Sequence, residues 1–188
     1  MSEGSESPAG SLLTIGNALT GARLLLLPLV IVGIATHRGH LAVVAMAAIV
    51  VTDLLDGRIA RRLGQASEFG KTLDSTIDFV LIYSLFIAFY AAGRLATFQF
   101  AILYLAMLTI LLLQLVVAGT GRGAALGRTA LGKLTGALEY GYLLFLVAME
   151  VLPGRPVLTA AGIAFFVVLA LAIVLNSIEC LVKLRRLT

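Results

Sequence analysis

Charge is what this sequence has least of. Only 13% of its 188 residues are Asp, Glu, Lys or Arg, against roughly 25% in soluble domains, while 60% are hydrophobic. An ordinary water-soluble core is excluded by that balance. Cysteine is almost missing as well. Cys180 stands alone, so no internal disulfide can form; nothing near it suggests a metal site or catalytic thiol, and packing or lipid contact is its expected role. There is no internal repeat and no soluble domain. The polar start MSEGSESPAG lacks the basic n-region of a secretory signal and reads as a flexible tail over residues 1–14. Basic residues are not interleaved with aromatics, so the net charge of +4 points to membrane topology and anionic headgroups, not to nucleic acid.

What the chain does have is long apolar runs. Residues 95–121 and 157–178 carry no charge at all, and each exceeds the ~20 residues that cross a bilayer as a helix. Six spans fit: 15–36, with a kink expected at Pro28, then 41–62, 71–92, 96–118, 134–152 and 157–182. The breaks at 37–40, 93–96 and 153–156 are tight turns on one side of the membrane. Longer basic loops around 62–71 and 119–133, and the tail KLRRLT, fall on the other. Eleven Lys and Arg stand on that side against three on the first, which makes it cytoplasmic by the positive-inside rule. The predicted fold is all-α and integral to the cell membrane: a multi-pass, single domain over residues 15–188, six transmembrane helices with both termini cytoplasmic.

Against that oily background one window stands out, DLLDGRIARRLGQASEFGKTLDSTID. Asp53 and Asp56 lie three apart, Asp74 and Asp78 four apart, and on helices both spacings share a face. Spans joined by a short loop are antiparallel neighbours, so all four carboxylates can converge at the cytoplasmic ends of spans two and three. Crowded like charges raise one another's pKa, and desolvation penalises each ion. Something cationic must therefore sit between them. Hard oxygen donors without His or Cys point to Mg²⁺, Mn²⁺ or Ca²⁺ rather than zinc, and four carboxylates suit two ions clamping a phosphate. Gly57 and Ala60 clear a strip for an extended ligand, Arg61 supplies a guanidinium suited to phosphate, and Gly70 lets the chain turn closely into the third span. Charges that only flank a membrane interface would not need four acids of one sign on two inner faces.

The pattern D-x2-D-G-x2-A-R-x8-G-x3-D-x3-D resembles the signature of the CDP-alcohol phosphotransferase family, with Asp53, Asp56, Gly57, Ala60, Arg61, Gly70, Asp74 and Asp78 at every fixed position. The first span resembles the family as well, in Asn17, Thr20, Arg23 and Pro28. This resemblance implies an enzyme that takes the phosphatidyl group of CDP-diacylglycerol to an alcohol and releases CMP. It implies two Mg²⁺ (or Mn²⁺) ions per site on Asp53, Asp56, Asp74 and Asp78, with Asp78 also the catalytic base. By the same resemblance Asn17, Thr20, Gly57, Ala60, Arg61 and Ser67 line the CDP pocket, the active site faces the cytoplasm, and the protein is a homodimer.

The loop 119–136 brings Arg122, Arg128 and Lys133 to the side of the aspartates, where they could hold the phosphate of an acceptor; the plainer reading is anchoring to anionic lipid. ALGKLTGALE resembles the GK-x-K-T-x2-Q stretch of phosphatidylglycerophosphate synthases, with Thr135 in place of the second lysine and Gly136 and Glu139 in place of Thr and Gln. Glycerol 3-phosphate is the favoured acceptor. Phosphatidylglycerol, as in cardiolipin synthases, and inositol phosphate are the alternatives. Glu139 could pair with a neighbouring helix or meet an acceptor hydroxyl, and Gly132 with Gly136 reads as a helix-packing pair. His37, His40, Glu150 and Arg155 belong to the outer turns and read as interface residues. Two other classes compete: a divalent-cation transporter, which would need an acid ladder that the later spans do not offer, and a non-catalytic assembly subunit, which would not need to keep Asp74 and Asp78.

Overall fold

The structure, a computed structural model, describes residues 15–63, 68–119, 130–152 and 154–187, with side chains over 21–55, 76–109, 111–112, 130–152, 154–183 and 185. The expected tail, Ser67, Arg122 and Arg128 lie outside the described residues. Among the described residues there are six α-helices and no strand: α1 Ile15–Ala35, α2 Gly39–Leu63, α3 Glu68–Ala91, α4 Thr97–Gly119, α5 Ala130–Met149 and α6 Pro156–Leu187. Each corresponds to one predicted span, and α1 runs through Pro28 as one helix. The chain divides into two compact units, residues 1–84 and 85–188, with the boundary inside α3.

In the first unit α1 and α2 form a hairpin. Its turn is set by His37, whose φ of 57° is left-handed, a region that His enters more readily than most side chains. The Arg38 amide donates to Gly33 O at 2.8 Å and the His37 amide to Ile34 O at 3.2 Å, the paired bonds that close a helix with a left-handed residue just past its end. Below the turn the helices touch at Gly33, where a Cβ would stand 2.6 Å from the Ala42 nitrogen. Only hydrogen fits there. The buried residues of α1 include Arg23, Leu27, Val30 and Ile34, and those of α2 include Ala42, Met46 and Ile49. These are single stripes at three- and four-residue spacing.

The second unit begins in the last turns of α3, which bury Leu85, Phe86 and Phe89. Gly93, at φ 70°, closes α3 as His37 closes α1, with the Arg94 amide donating to Phe89 O at 2.9 Å. The Gln99 side chain accepts the Ala96 amide at 3.0 Å and so satisfies a donor that the start of α4 leaves open. Helices α5 and α6 pack by setting rings on glycines: Phe145 covers Gly162, and Phe165 covers Gly141. Arg94 forks onto Glu150, with Nε 2.9 Å from Oε1 and Nη2 3.1 Å from Oε2. That pair ties the α3–α4 turn to the α5–α6 turn, so Glu150 does more than mark an interface. At Gly136 a Cβ would meet nothing within 4 Å among the described residues.

Among the described residues one helix, Pro156–Lys183, is long and apolar enough to cross a membrane, and only 22% of its apolar window is buried, unlike the core helix of a soluble protein. At 1.5 Å per residue its 28 residues outreach the ~30 Å hydrocarbon layer. Shorter apolar stretches occur in α1 to α4, and every helix turns large apolar side chains outward, among them Leu25, Val44, Ile87, Phe98, Leu134 and Val157. Surfaces of that kind are unusual in soluble monomers and compatible with a membrane protein.

Candidate active site

Helix α1 buries a cation among its apolar residues. Arg23 continues the Leu27, Val30, Ile34 stripe by one turn, and it is only 1% exposed. On α2 the stripe of Ala42, Met46 and Ile49 is continued by Asp53. Eleven residues separate Ile34 from Arg23 and eleven separate Ala42 from Asp53. In an antiparallel pair that count brings Arg23 level with Asp53, about 16 Å along the helices at 1.5 Å per residue. The contact is made: Arg23 Nη1 donates to Asp53 Oδ1 at 2.9 Å. The same nitrogen donates to Asp78 Oδ1 at 2.7 Å, on α3 one turn before the buried Leu81. One guanidinium thus joins three helices of the first unit.

The exposures are unequal, and that decides the energetics. The Asp53 and Asp78 side chains are 42% and 44% exposed, so each could keep part of its hydration alone. Arg23 could not. Leaving a buried charge without a partner costs roughly 3–5 kcal/mol, and the carboxylates of Asp53 and Asp78 are among the groups that permit Arg23 to sit in the stripe. The sequence window holds Arg58, Arg61, Arg62 and Lys71 but none placed to pair simply with each aspartate, which pointed to metal ions as the cation between them. In this structure a cation of the chain itself lies between Asp53 and Asp78: Arg23, thirty positions upstream of Asp53.

The donor set also fits a divalent ion. Both oxygens lie within hydrogen-bond distance of a single positive centre, so they are at most about 5.6 Å apart, the two bonds laid end to end. Both are the hard oxygens that Mg²⁺ prefers. The backbone is helical through 53–56 and through 74–78, which keeps Asp56 one turn from Asp53 and Asp74 one turn from Asp78. The side chains of Asp56 and Asp74 lie outside the described residues, as do those of Asn17, Thr20, Gly57, Ala60 and Arg61. Among the described residues no group of three or more His, Cys, Asp or Glu comes together.

In the second unit Lys133 stands exposed in the first turn of α5. Thr135, at the position of a second lysine in the resembled stretch, is buried; its hydroxyl donates to Leu131 O at 2.9 Å and lies 3.3 Å from Ala172 O of α6. That position serves helix packing. Glu139, one turn on, is buried and makes no hydrogen bond or ion pair with a described residue. Asn176 of α6 is buried with its Oδ1 unpartnered among the described residues. His37 and His40 are exposed. Sequence reasoning placed Arg23 in the first-span motif and counted it as a topological charge, but missed its partners; the signal was its register with Leu27, Val30 and Ile34.

A family model described as CDP-alcohol phosphatidyltransferase matches residues 13–177. The chain belongs to that family. Its CDP-alcohol phosphatidyltransferase relatives include a Treponema pallidum protein named CDP-diacylglycerol–glycerol-3-phosphate 3-phosphatidyltransferase, 29% identical over 55% of this chain and 47% of its own length. A Mycobacterium bovis protein named as a cardiolipin synthase is 33% identical over 70% of this chain and 61% of its own. A Drosophila melanogaster protein named as a CMP-forming cardiolipin synthase is 42% identical over 42% of this chain and 24% of its own. The chain thus spans less than two thirds of the length of each of these curated relatives.

Proposed function

We propose that this protein transfers the phosphatidyl group of CDP-diacylglycerol to an alcohol and releases CMP. The observation that carries the reading is the meeting of Asp53 and Asp78 around one cationic point, in a chain whose family model covers 13–177. Six helices cross the membrane as one catalytic domain, over residues 15–188, with both termini and the site on the cytoplasmic side. The protein works as a homodimer.

Asp53, Asp56, Asp74 and Asp78 hold two divalent ions, Mg²⁺ or Mn²⁺. When bound, these ions neutralise the donor's pyrophosphate and ease departure of the leaving oxygen. Asn17, Thr20, Gly57, Ala60, Arg61 and Ser67 receive the CDP moiety. Asp78 takes the proton of the acceptor hydroxyl. The oxygen forms a bond to the lipid-side phosphorus, and the bond from that phosphorus to the bridging oxygen breaks, CMP leaving with the electron pair. Lys133, with Arg122 and Arg128, holds the acceptor's phosphate.

Glycerol 3-phosphate is the proposed acceptor, in keeping with the GK stretch and with the printed activity of the Treponema relative. Phosphatidylglycerol is the second reading. It is favoured by the cardiolipin-synthase names of other relatives and by the packing role of Thr135, which leaves Lys133 without a second lysine beside it. Both acceptors present a glycerol phosphate. The test is CMP release from CDP-diacylglycerol by the full chain in detergent with Mg²⁺. Glycerol 3-phosphate, phosphatidylglycerol, inositol phosphate and serine are supplied in turn. Release is expected with glycerol 3-phosphate; release with phosphatidylglycerol alone establishes the second reading. No release with any of them, joined to divalent flux in liposomes, establishes a transporter instead.

A further inference from the structure

Two buried polar side chains of the second unit play no part in the proposed reaction. Glu139 of α5 and Asn176 of α6 are 8% and 4% exposed. Glu139 makes no hydrogen bond or ion pair with a described residue, and Asn176 Oδ1 has no partner among them. Burying such groups unsatisfied is costly, and polar or ionisable groups inside a membrane bundle mark functional sites by default.

The two residues belong to one place. Helices α5 and α6 run antiparallel, and the Thr135 hydroxyl lies 3.3 Å from Ala172 O across their seam. Glu139 is four residues past Thr135, and Asn176 is four past Ala172. Four residues turn a helix by about 40° beyond one full revolution, and in an antiparallel pair equal advances turn to the same flank of the seam. Along the axes the two positions stand roughly 12 Å apart at 1.5 Å per residue. Helical side chains tilt toward the N-terminus of their own helix, so Glu139 and Asn176 tilt toward each other. Between them on that flank is Gly136, where a Cβ would meet nothing within 4 Å among the described residues. The seam thus carries a slot with a glycine floor, an acid at one end and an amide at the other. A bare cation suits only an ionised carboxyl. A hydroxyl both donates and accepts, so it satisfies the carboxyl in either protonation state and either half of the amide.

We infer that Glu139 and Asn176 form a hydroxyl-binding subsite that holds the non-reacting hydroxyl of a glycerol acceptor. The inference rests on the phosphatidyl-transfer reading given above, and it makes Glu139 a specificity-determining residue. A glycerol phosphate with a free secondary hydroxyl is the chemistry recognised. Glycerol 3-phosphate and the headgroup of phosphatidylglycerol share it.

The test is CMP release from CDP-diacylglycerol by the full chain in detergent with Mg²⁺. Each acceptor is set against its analogue without the secondary hydroxyl: glycerol 3-phosphate against 3-hydroxypropyl phosphate, and phosphatidylglycerol against phosphatidyl-1,3-propanediol. The pair that supports turnover identifies the source of the glycerol. Wild type should favour the glycerol acceptor at least about tenfold in kcat/KM, because a slot built to bond a hydroxyl rejects a ligand that lacks it. Glu139→Met, similar in size but unable to form that bond, should lose at least about tenfold on the glycerol acceptor and about threefold or less on the analogue. Glu139→Gln keeps a hydrogen-bonding end and should keep most of the preference. Asn176→Leu should shift the ratio in the same direction as Glu139→Met, and it carries the test should Glu139→Met not fold. A packing role would lower both acceptors together. A wild type that does not distinguish the two, or variants that lower both equally, overturns the inference and leaves phosphatidyl transfer standing. Release confined to serine or inositol phosphate does the same. No release by wild type with any acceptor overturns both.

Discussion

Arg23 and Asp78, 55 positions apart, meet at 2.7 Å through Nη1 and Oδ1. Neither is held there by local sequence. Arg23 follows from the register of the α1 stripe, and Asp78 from that of α3, where Leu81 is buried one turn on. Their meeting turns two ordinary helical patterns into an electrostatic junction. Because the arginine is the buried member, its needs set the stability of the junction, while the aspartates remain accessible to a ligand.

That asymmetry has a measurable consequence in metal-free protein. Asp53→Asn or Asp78→Asn alone removes one of the two carboxylates that meet Arg23 Nη1 and should cost about 1–2 kcal/mol, whereas the double variant removes both and should cost about 3–5 kcal/mol. The losses are therefore more than additive, as for groups sharing a partner. Adding Arg23→Gln to the double variant should recover most of the loss, since no buried charge then remains. Denaturant or thermal unfolding in detergent with chelator checks this, and strictly additive losses without recovery would count against the junction.

Much of this was legible beforehand. Unbroken apolar runs gave the six helices, and the ends of α1 to α3 lie within three residues of the predicted ones, because glycines and polar residues interrupt the apolar runs there. Helix α5 begins four residues before its predicted start, since Ala130 and Leu131 are good helix formers and the positive charge of Lys133 does not stop a helix. The aspartate spacing and the family signature singled out Asp53 and Asp78, which the structure brings together at Arg23. The partner of Asp53 and Asp78 was not legible from the window that holds them. It comes from a helix outside that window, and only the antiparallel count from the His37 turn brings Arg23 opposite Asp53. The role of Thr135 was hidden for a similar reason: its second contact, Ala172, is 37 residues away.

The α1–α2 approach gives a second prediction. A methyl at Gly33 would meet the Ala42 nitrogen at 2.6 Å and its Cα at 2.9 Å, backbone atoms that can move only with the helix. Gly33→Ala should therefore cost about 1–3 kcal/mol, the range for overpacking, and lower the melting temperature. Gly136→Ala is the control. Its Cβ meets nothing within 4 Å, so the usual helical gain over glycine, about 0.5–1 kcal/mol, should appear as equal or greater stability. Equal effects at the two glycines would contradict the close approach.

Turnover should depend on Asp78 more than nucleotide binding does. Asp78→Asn keeps the size of the side chain and its ability to accept a hydrogen bond from Arg23, but removes the proton acceptor. The loss of a general base is typically 10²–10⁴-fold, so kcat should fall at least about a hundredfold while CDP affinity changes far less. Single-turnover CMP release together with equilibrium CDP binding separates the two quantities. Full activity in this variant would remove Asp78 from the role of base.

Lys133 tests the acceptor side. It is exposed in the first turn of α5, and replacing an exposed lysine with the better helix former alanine should change stability by no more than about 0.5 kcal/mol. A change in kinetics would then report on substrate and not on folding. If Lys133 grips the phosphate of glycerol 3-phosphate, Lys133→Ala removes a charge-assisted contact worth about 1.5–3 kcal/mol. The KM for that acceptor should rise roughly ten- to a hundredfold, with the KM for CDP-diacylglycerol shifted by about twofold or less. Equal increases for both substrates would move Lys133 to the donor. An unchanged KM for both would leave it as an anchor to anionic lipid, a role whose loss weakens binding to vesicles rich in anionic headgroups by about 1 kcal/mol per cation.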